Sequence, residues 1–252
     1  ANEYAEESSD LAPEWYIDTH DLILEPTAAH FFTLVLLHSC SGGPDDFISY
    51  FHRLRLPFRR HIRAVVPCAP LRWENHYGWA KELNSWFEYD NDSDDGNAVK
   101  DPAQLLDQRE RILKLVEEER QQLPDCNPER LVIWGLSQGA SLAVDVALHA
   151  PFAVGGVLAL RGMALRYTQD ELATCLRRTS PVDVFAYNGE RDWLCPPDIA
   201  RSTYEALTEH GLRLQFESDP SLAHGCARGR QKMCQQELDR VSAFLNRVWR
   251  EL

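Results

Sequence analysis

No stretch of the chain approaches the roughly 18 consecutive apolar residues that a membrane-crossing helix needs. The N-terminus carries Glu3, Glu6 and Glu7 where a targeting segment would place a basic flank and an apolar run. Stable membrane insertion is therefore not expected. Positive charge is scarce: 26 lysines and arginines stand against 39 aspartates and glutamates, a formal net charge of −13. Nucleic acid and anionic membrane surfaces both require a basic face, and no such patch is present, so neither is expected as a partner. The seven cysteines form no C-x-x-C pair and are odd in number, in a chain long enough to need no covalent staples. Reduced thiols and a cytoplasmic location are the resulting expectation. Internal repeats, low-complexity segments and linkers are lacking, and the formal glycosylation triplet Asn91-Asp92-Ser93 has no weight in a cytoplasmic protein.

What is present is enough for one substantial core. With 252 residues, 44% of them hydrophobic, the chain suits a single α/β domain over residues 21–252, preceded by an extended polar arm over residues 1–20. Short apolar runs at Leu22–Glu25 and Phe31–Leu37 read as a hairpin leading into a buried strand, followed by a helix over Asp45–Phe58 and a strand at Ile62–Val66. Residues 71–100 show no clear period. They are crowded with Trp73, Tyr77, Trp79, Trp86, Phe87 and Tyr89 and then with the acidic run Asp90–Asp95, and they read as a lid, with Trp79, Trp86 and Phe87 walling a substrate pocket. Asp101-Pro102 opens a helix running to Gln122 with Leu105, Leu106, Ile112, Leu113 and Val116 as its apolar stripe. Strands at 131–134, Val154–Leu160, Val182–Tyr187 and Leu212–Phe216 then alternate with helices at Gln138–Ala150, Pro197–His210 and the C-terminus, which predicts a mostly parallel sheet covered on both faces.

Chemistry enters at Leu131-Val132-Ile133-Trp134-Gly135-Leu136-Ser137-Gln138-Gly139-Ala140, where an apolar run stops at a serine flanked by glycines and turns helical. The G-x-S-x-G pattern suits a sharp strand-to-helix turn, its glycines relieving crowding where helix and strand meet. Ser137 then stands at the tip, and the backbone N–H of Gln138 points to the space where an oxyanion would develop. A serine hydroxyl is a weak nucleophile at neutral pH and needs a histidine base held by a carboxylate. On such sheets the chain order is serine, acid, histidine. Of the histidines after Ser137, His149 falls in the next helix and His210 before a capping glycine, which leaves His224 in the loop between the last strand and the last helix. Asp192 lies in the loop after strand 182–187, with Asp198 and Glu190 as rival acids.

Together these stretches resemble the phospholipase/carboxylesterase family of α/β-hydrolases, which includes the acyl-protein thioesterases. The likeness runs over roughly 22–249 and rests on Thr33-Leu34-Val35-Leu36-Leu37-His38, Pro67-Cys68-Ala69-Pro70, Ser85-Trp86-Phe87-Glu88, Gly135-Leu136-Ser137-Gln138-Gly139, the Asp192 loop with Gly189 and Pro196, and His224. The resemblance implies an α/β-hydrolase fold, Ser137 as nucleophile with Asp192 and His224 as its relay, and an oxyanion hole made by the backbone N–H groups of Cys40 and Gln138. It also implies hydrolysis of carboxylic esters or thioesters, including lysophospholipids and S-acylated cysteines of proteins, without metal or organic cofactor. The chain departs from the family in having His38-Ser39-Cys40 where His-Gly and a small apolar residue are usual. A catalytically impaired binding or regulatory module on the same scaffold is the competing expectation.

Overall fold

A computed structural model of the chain describes residues 20–76, 79–90, 93, 96–174, 180–225 and 233–252. The expected arm over residues 1–20 lies outside them, apart from His20. Seven strands form the main sheet: β1 (Leu22–Leu24), β2 (Phe32–Leu37), β3 (Ile62–Val66), β6 (Leu131–Leu136), β7 (Gly156–Leu160), β8 (Val182–Gly189) and β9 (Leu212–Asp219). Their spatial order is β1-β3-β2-β6-β7-β8-β9, and every pairing is parallel except β1 with β3. The expected hairpin of the first two runs does not form, because β3 lies between them: Leu22 pairs with Val66, while Leu34 pairs with Ala64 on the other side.

All six residues of β2 and of β6 are buried, as strands covered on both faces must be. The period of two sorts their side chains between two cores. Val35, Leu37 and Ile133 join the core under α2 (Pro102–Gln122) and α3 (Gln138–His149). Leu34, Leu36 and Trp134 join the core under α1 (Asp45–Arg53) and α6 (Gln235–Glu251). Helix α1 is shorter than expected, ending at Leu54 in extended conformation; Pro57 follows closely and disfavours helical backbone at the residue before it. Helix α2 begins where its sequence signal places it, with the Asp101 carboxylate accepting from the Ala103 N–H at 3.1 Å and Pro102 in the first turn. Of its stripe, Leu105, Ile112 and Val116 are fully buried, whereas Leu106 faces solvent. The chain further carries α4 (Arg166–Leu172) and α5 (Pro197–Glu205).

Part of the segment read as an irregular lid is regular strand instead. Residues Leu71–His76 (β4) and Trp79–Asn84 (β5) form an antiparallel hairpin, and Tyr89 bridges Val99 further on. Aromatic residues alternate poorly there, which hid the period; pairing between the two strands supplies the order that the pattern lacked.

Candidate active site

Strand β6 delivers Ser137 to the sheet's carboxyl edge, where its backbone takes φ 55° and ψ −118°, a conformation L-residues avoid. Close backbone packing holds it there. A Cβ on Gly135 would lie 2.1 Å from the Gly139 carbonyl oxygen, and one on Gly139 would lie 2.1 Å from that of Leu37. The Ser137 N–H donates to Leu160 O at 2.8 Å, tying the turn to β7.

The structure brings the three expected side chains into one chain of contacts. Ser137 Oγ lies 2.8 Å from His224 Nε2, and His224 Nδ1 lies 2.8 Å from Asp192 Oδ2. The other carboxylate oxygen of Asp192 accepts from the backbone N–H groups of Leu194 and Cys195, at 3.0 and 2.8 Å, so the acid is fixed by its own loop. Asp192 and His224 are both buried. The rivals are elsewhere: Glu190 is exposed and accepts from Ser218, and Asp198 is exposed in the first turn of α5. His149 contacts Asp145 and Glu171, and His210 belongs to a 3-10 turn after α5. Asp192, Cys195 and His224 are close enough to suggest metal ligands. The 2.8 Å contact between His224 and Asp192 is a direct hydrogen-bond distance, however, and leaves no room for an ion between the two donors.

The two expected oxyanion donors belong to neighbouring turns. As the first residue of α3, Gln138 has a backbone N–H with no carbonyl partner in its own helix. Its buried side chain is gripped by residues 85–87: Oε1 accepts from the Trp86 N–H at 2.9 Å, and Nε2 donates to Ser85 Oγ and to Phe87 O. The turn bearing Cys40 is wired from three sides. Trp86 Nε1 donates to His38 O at 2.7 Å, the Ala69 N–H donates to His38 Nε2 at 2.9 Å, and the Ser41 N–H donates to Asn84 O at 2.8 Å. Because Nε2 accepts, the proton of His38 is on Nδ1, which donates to Ser39 O. The left-handed residue of the turn is Ser41, with φ 60°, and not Ser39, so the serine at 39 meets no demand that only glycine could satisfy.

The Cys40 thiol lies 3.7 Å from the carboxylate of the buried Glu74, and burial together with that charge pushes its pKa far up. Burial likewise raises the Glu74 carboxyl, one of whose oxygens has no hydrogen-bond partner.

Trp86 and Phe87 do not wall an open pocket. Both have 0% exposure and pack in the core, because the hairpin folds them under the turn bearing Cys40, where the indole N–H and the peptide groups find partners. The side chain of Trp79 lies outside the described residues. Beside the Asp192 loop runs a groove of mixed polarity instead, bordered by Met163, Trp193 and Ile199 and by Asn97, Arg166 and Gln169, with Trp193 71% exposed. Sequence reading missed this groove, although Trp193 next to the acid was a signal for it. It also missed the grip of Ser85 on Gln138, which only the β4–β5 hairpin brings about.

A mostly parallel sheet with a strained serine between strand and helix, and with acid and histidine on the loops after β8 and β9, defines an α/β-hydrolase. Residues 19–249 match the phospholipase/carboxylesterase family, and the chain belongs to it. It is 28% identical over 239 residues to acyl-protein thioesterase 1 of Mycosarcoma maydis, covering 89% of this chain and 92% of that one. A probable carboxylesterase of Oryza sativa subsp. japonica is 25% identical over 65% of this chain and 68% of its own length. Among solved structures, Arabidopsis thaliana SOBER1 superposes with a TM-score of 0.73 at 18% identity, over 86% of this chain and 99% of that one. Zea mays acyl-protein thioesterase 2 gives 0.69 at 18% identity, over 91% and 98%. At the level the family defines, the chain is a hydrolase of carboxylic esters or thioesters. No helix among the described residues is long and apolar enough to cross a membrane.

Proposed function

We propose that the chain hydrolyses acyl esters or thioesters through an acyl-enzyme on Ser137. The observation that carries this reading is the unbroken contact from Ser137 Oγ through His224 to Asp192, at 2.8 Å in each step. His224 takes the Ser137 proton as the hydroxyl attacks the carbonyl carbon, and Asp192 holds the ring with Nδ1–H toward itself so that Nε2 is the free base. The tetrahedral oxyanion accepts from the N–H groups of Gln138 and Cys40. His224 then protonates the leaving alcohol or thiol, the tetrahedral centre collapses to the acyl-serine, and water repeats the sequence to release the acid. No step calls on a metal or an organic cofactor.

The groove at Met163, Trp193, Leu194 and Ile199, which adjoins the Asp192 loop and also carries Arg166 and Gln169, is the surface we assign to the acyl or leaving group. Likeness to acyl-protein thioesterases supports an S-acylated protein as one substrate, and the family's breadth supports lysophospholipids as another. Labelling by a fluorophosphonate tests the reading. A single adduct on Ser137, together with turnover of p-nitrophenyl esters and acyl thioesters, is expected; a folded protein inert to both would leave a binding module on a hydrolase scaffold.

A further inference from the structure

We propose that Arg161 is a positioning residue for the histidine base, clamping the His224 loop to the nucleophile turn; this rests on the serine-hydrolase reading of Ser137. Arg161 follows the last residue of β7 and is 2% exposed. Its guanidinium donates to the backbone carbonyl of His224 at 2.8 Å and, through Nε at 2.7 Å and through Nη2, makes a two-point pair with the carboxylate of Glu237. Glu237 is fully buried and accepts in turn from the Cys234 N–H at 2.8 Å, capping α6. The loop carrying the base is thus held at His224 and again where α6 begins, from one side chain.

The backbone at this point makes the arrangement more than a local staple. Leu160 O accepts from the Ser137 N–H, and the Arg161 N–H donates to Tyr187 O, in the strand that leads to Asp192, each at 2.8 Å. Two adjacent residues therefore touch the segments that supply nucleophile, acid and base. Arg161 does so with φ at 52°, a left-handed conformation unfavourable for a residue with a side chain and kept only where surroundings enforce it. A buried ion pair is a poor device for stability, since apolar residues of similar volume serve as well, so its placement here fits orientation better than strength. The titratable groups around it are Glu237 of α6, Tyr50 of α1 and Cys234.

The pair of variants Arg161→Met/Glu237→Gln and Arg161→Lys tests the clamp. The double variant removes both buried charges while glutamine keeps an oxygen for the Cys234 N–H, so folding should persist. Its kcat on a p-nitrophenyl ester and its rate of fluorophosphonate labelling should fall roughly 10- to 100-fold, the scale of a base displaced by a fraction of an ångström to an ångström, with KM within a few-fold of the parent. The low-field proton signal of the His224–Asp192 hydrogen bond should broaden or vanish. Arg161→Lys keeps a charge for Glu237 but lacks the planar fork that reaches His224 O as well, and should show the same loss of kcat; it decides alone if the double variant does not fold. Parental kcat, labelling and proton signal in either folded variant overturn the clamp. A parent protein unreactive to the fluorophosphonate overturns the underlying hydrolase reading instead, and the clamp with it.

Discussion

Around the proposed nucleophile Ser137 the site is backbone packed against backbone: Gly135 against Gly139, Gly139 against Leu37, and the turn at His38–Ser41 tied down by peptide groups and one indole. On the side of the proposed acid and base, side-chain contacts are added, with His224 between Ser137 and Asp192, and Asp192 fixed by two N–H donors of its own loop. The first arrangement tolerates no added atom but leaves few polar groups to lose. The second is packed as closely, a Cβ on Gly189 meeting Leu222 O at 2.0 Å, and depends in addition on single side-chain donors and acceptors. The difference teaches where substitutions should abolish chemistry and where they should only weaken it.

The contrast would break first at Ser137. Ser137→Ala should lower esterase turnover about a millionfold, to the residual level left by the oxyanion donors, with an unchanged melting temperature. Turnover that survives the substitution in purified protein would end the serine mechanism. Asp192→Asn should cost about four orders of magnitude in kcat, because an amide cannot hold the working tautomer or balance the imidazolium. Damage of that size from Glu190→Gln or Asp198→Asn would shift the acid elsewhere.

The oxyanion turn sharpens the comparison further. Cys40→Pro deletes one N–H and should lower kcat roughly a hundred- to a thousand-fold in protein shown to be folded by circular dichroism. Cys40→Ala keeps the N–H and should stay within a few-fold of the parent, and the thiol, its pKa raised by burial and by Glu74, should resist alkylation at neutral pH. An inactive Cys40→Ala protein would put the thiol in the chemistry. Trp86→Phe removes the indole donor to His38 O, a net loss of about 1 kcal/mol in stability, and by loosening the Cys40 turn should lower kcat a few-fold. The fall should be the same for acetyl and medium-chain esters, whereas a selective rise in KM for the longer chain would return Trp86 to a pocket wall.

The smallest effect is expected at Glu74. Burial raises its carboxyl in the folded state, so the native form holds a proton that the unfolded chain has already released as pH climbs past the usual carboxylate range. Stability is therefore lost upward through that window. Glu74→Gln should raise the melting temperature at pH 8 and leave it unchanged well below pH 4, and an equal shift at both pH values would locate the effect in packing.

By itself the sequence determined the parts that short-range rules control. The period-two runs, the capped start of α2 at Asp101 and the glycine-flanked turn at Ser137 each follow from sterics within a few residues, and Ser137, Asp192 and His224, which the fold brings into contact, could be singled out by their order along the chain. Tertiary structure alone decided what depends on partners distant in sequence. It inserted β3 between β1 and β2, folded the aromatic stretch into a hairpin that buries Trp86 beneath the Cys40 turn, and left Trp193 outside. It also joined Arg161 to Glu237 across 76 positions. The physical reason is that a side chain's role is set by which donors, acceptors and apolar surfaces meet it in space, and an indole or a guanidinium reads the same in sequence whether it faces solvent or supports a base.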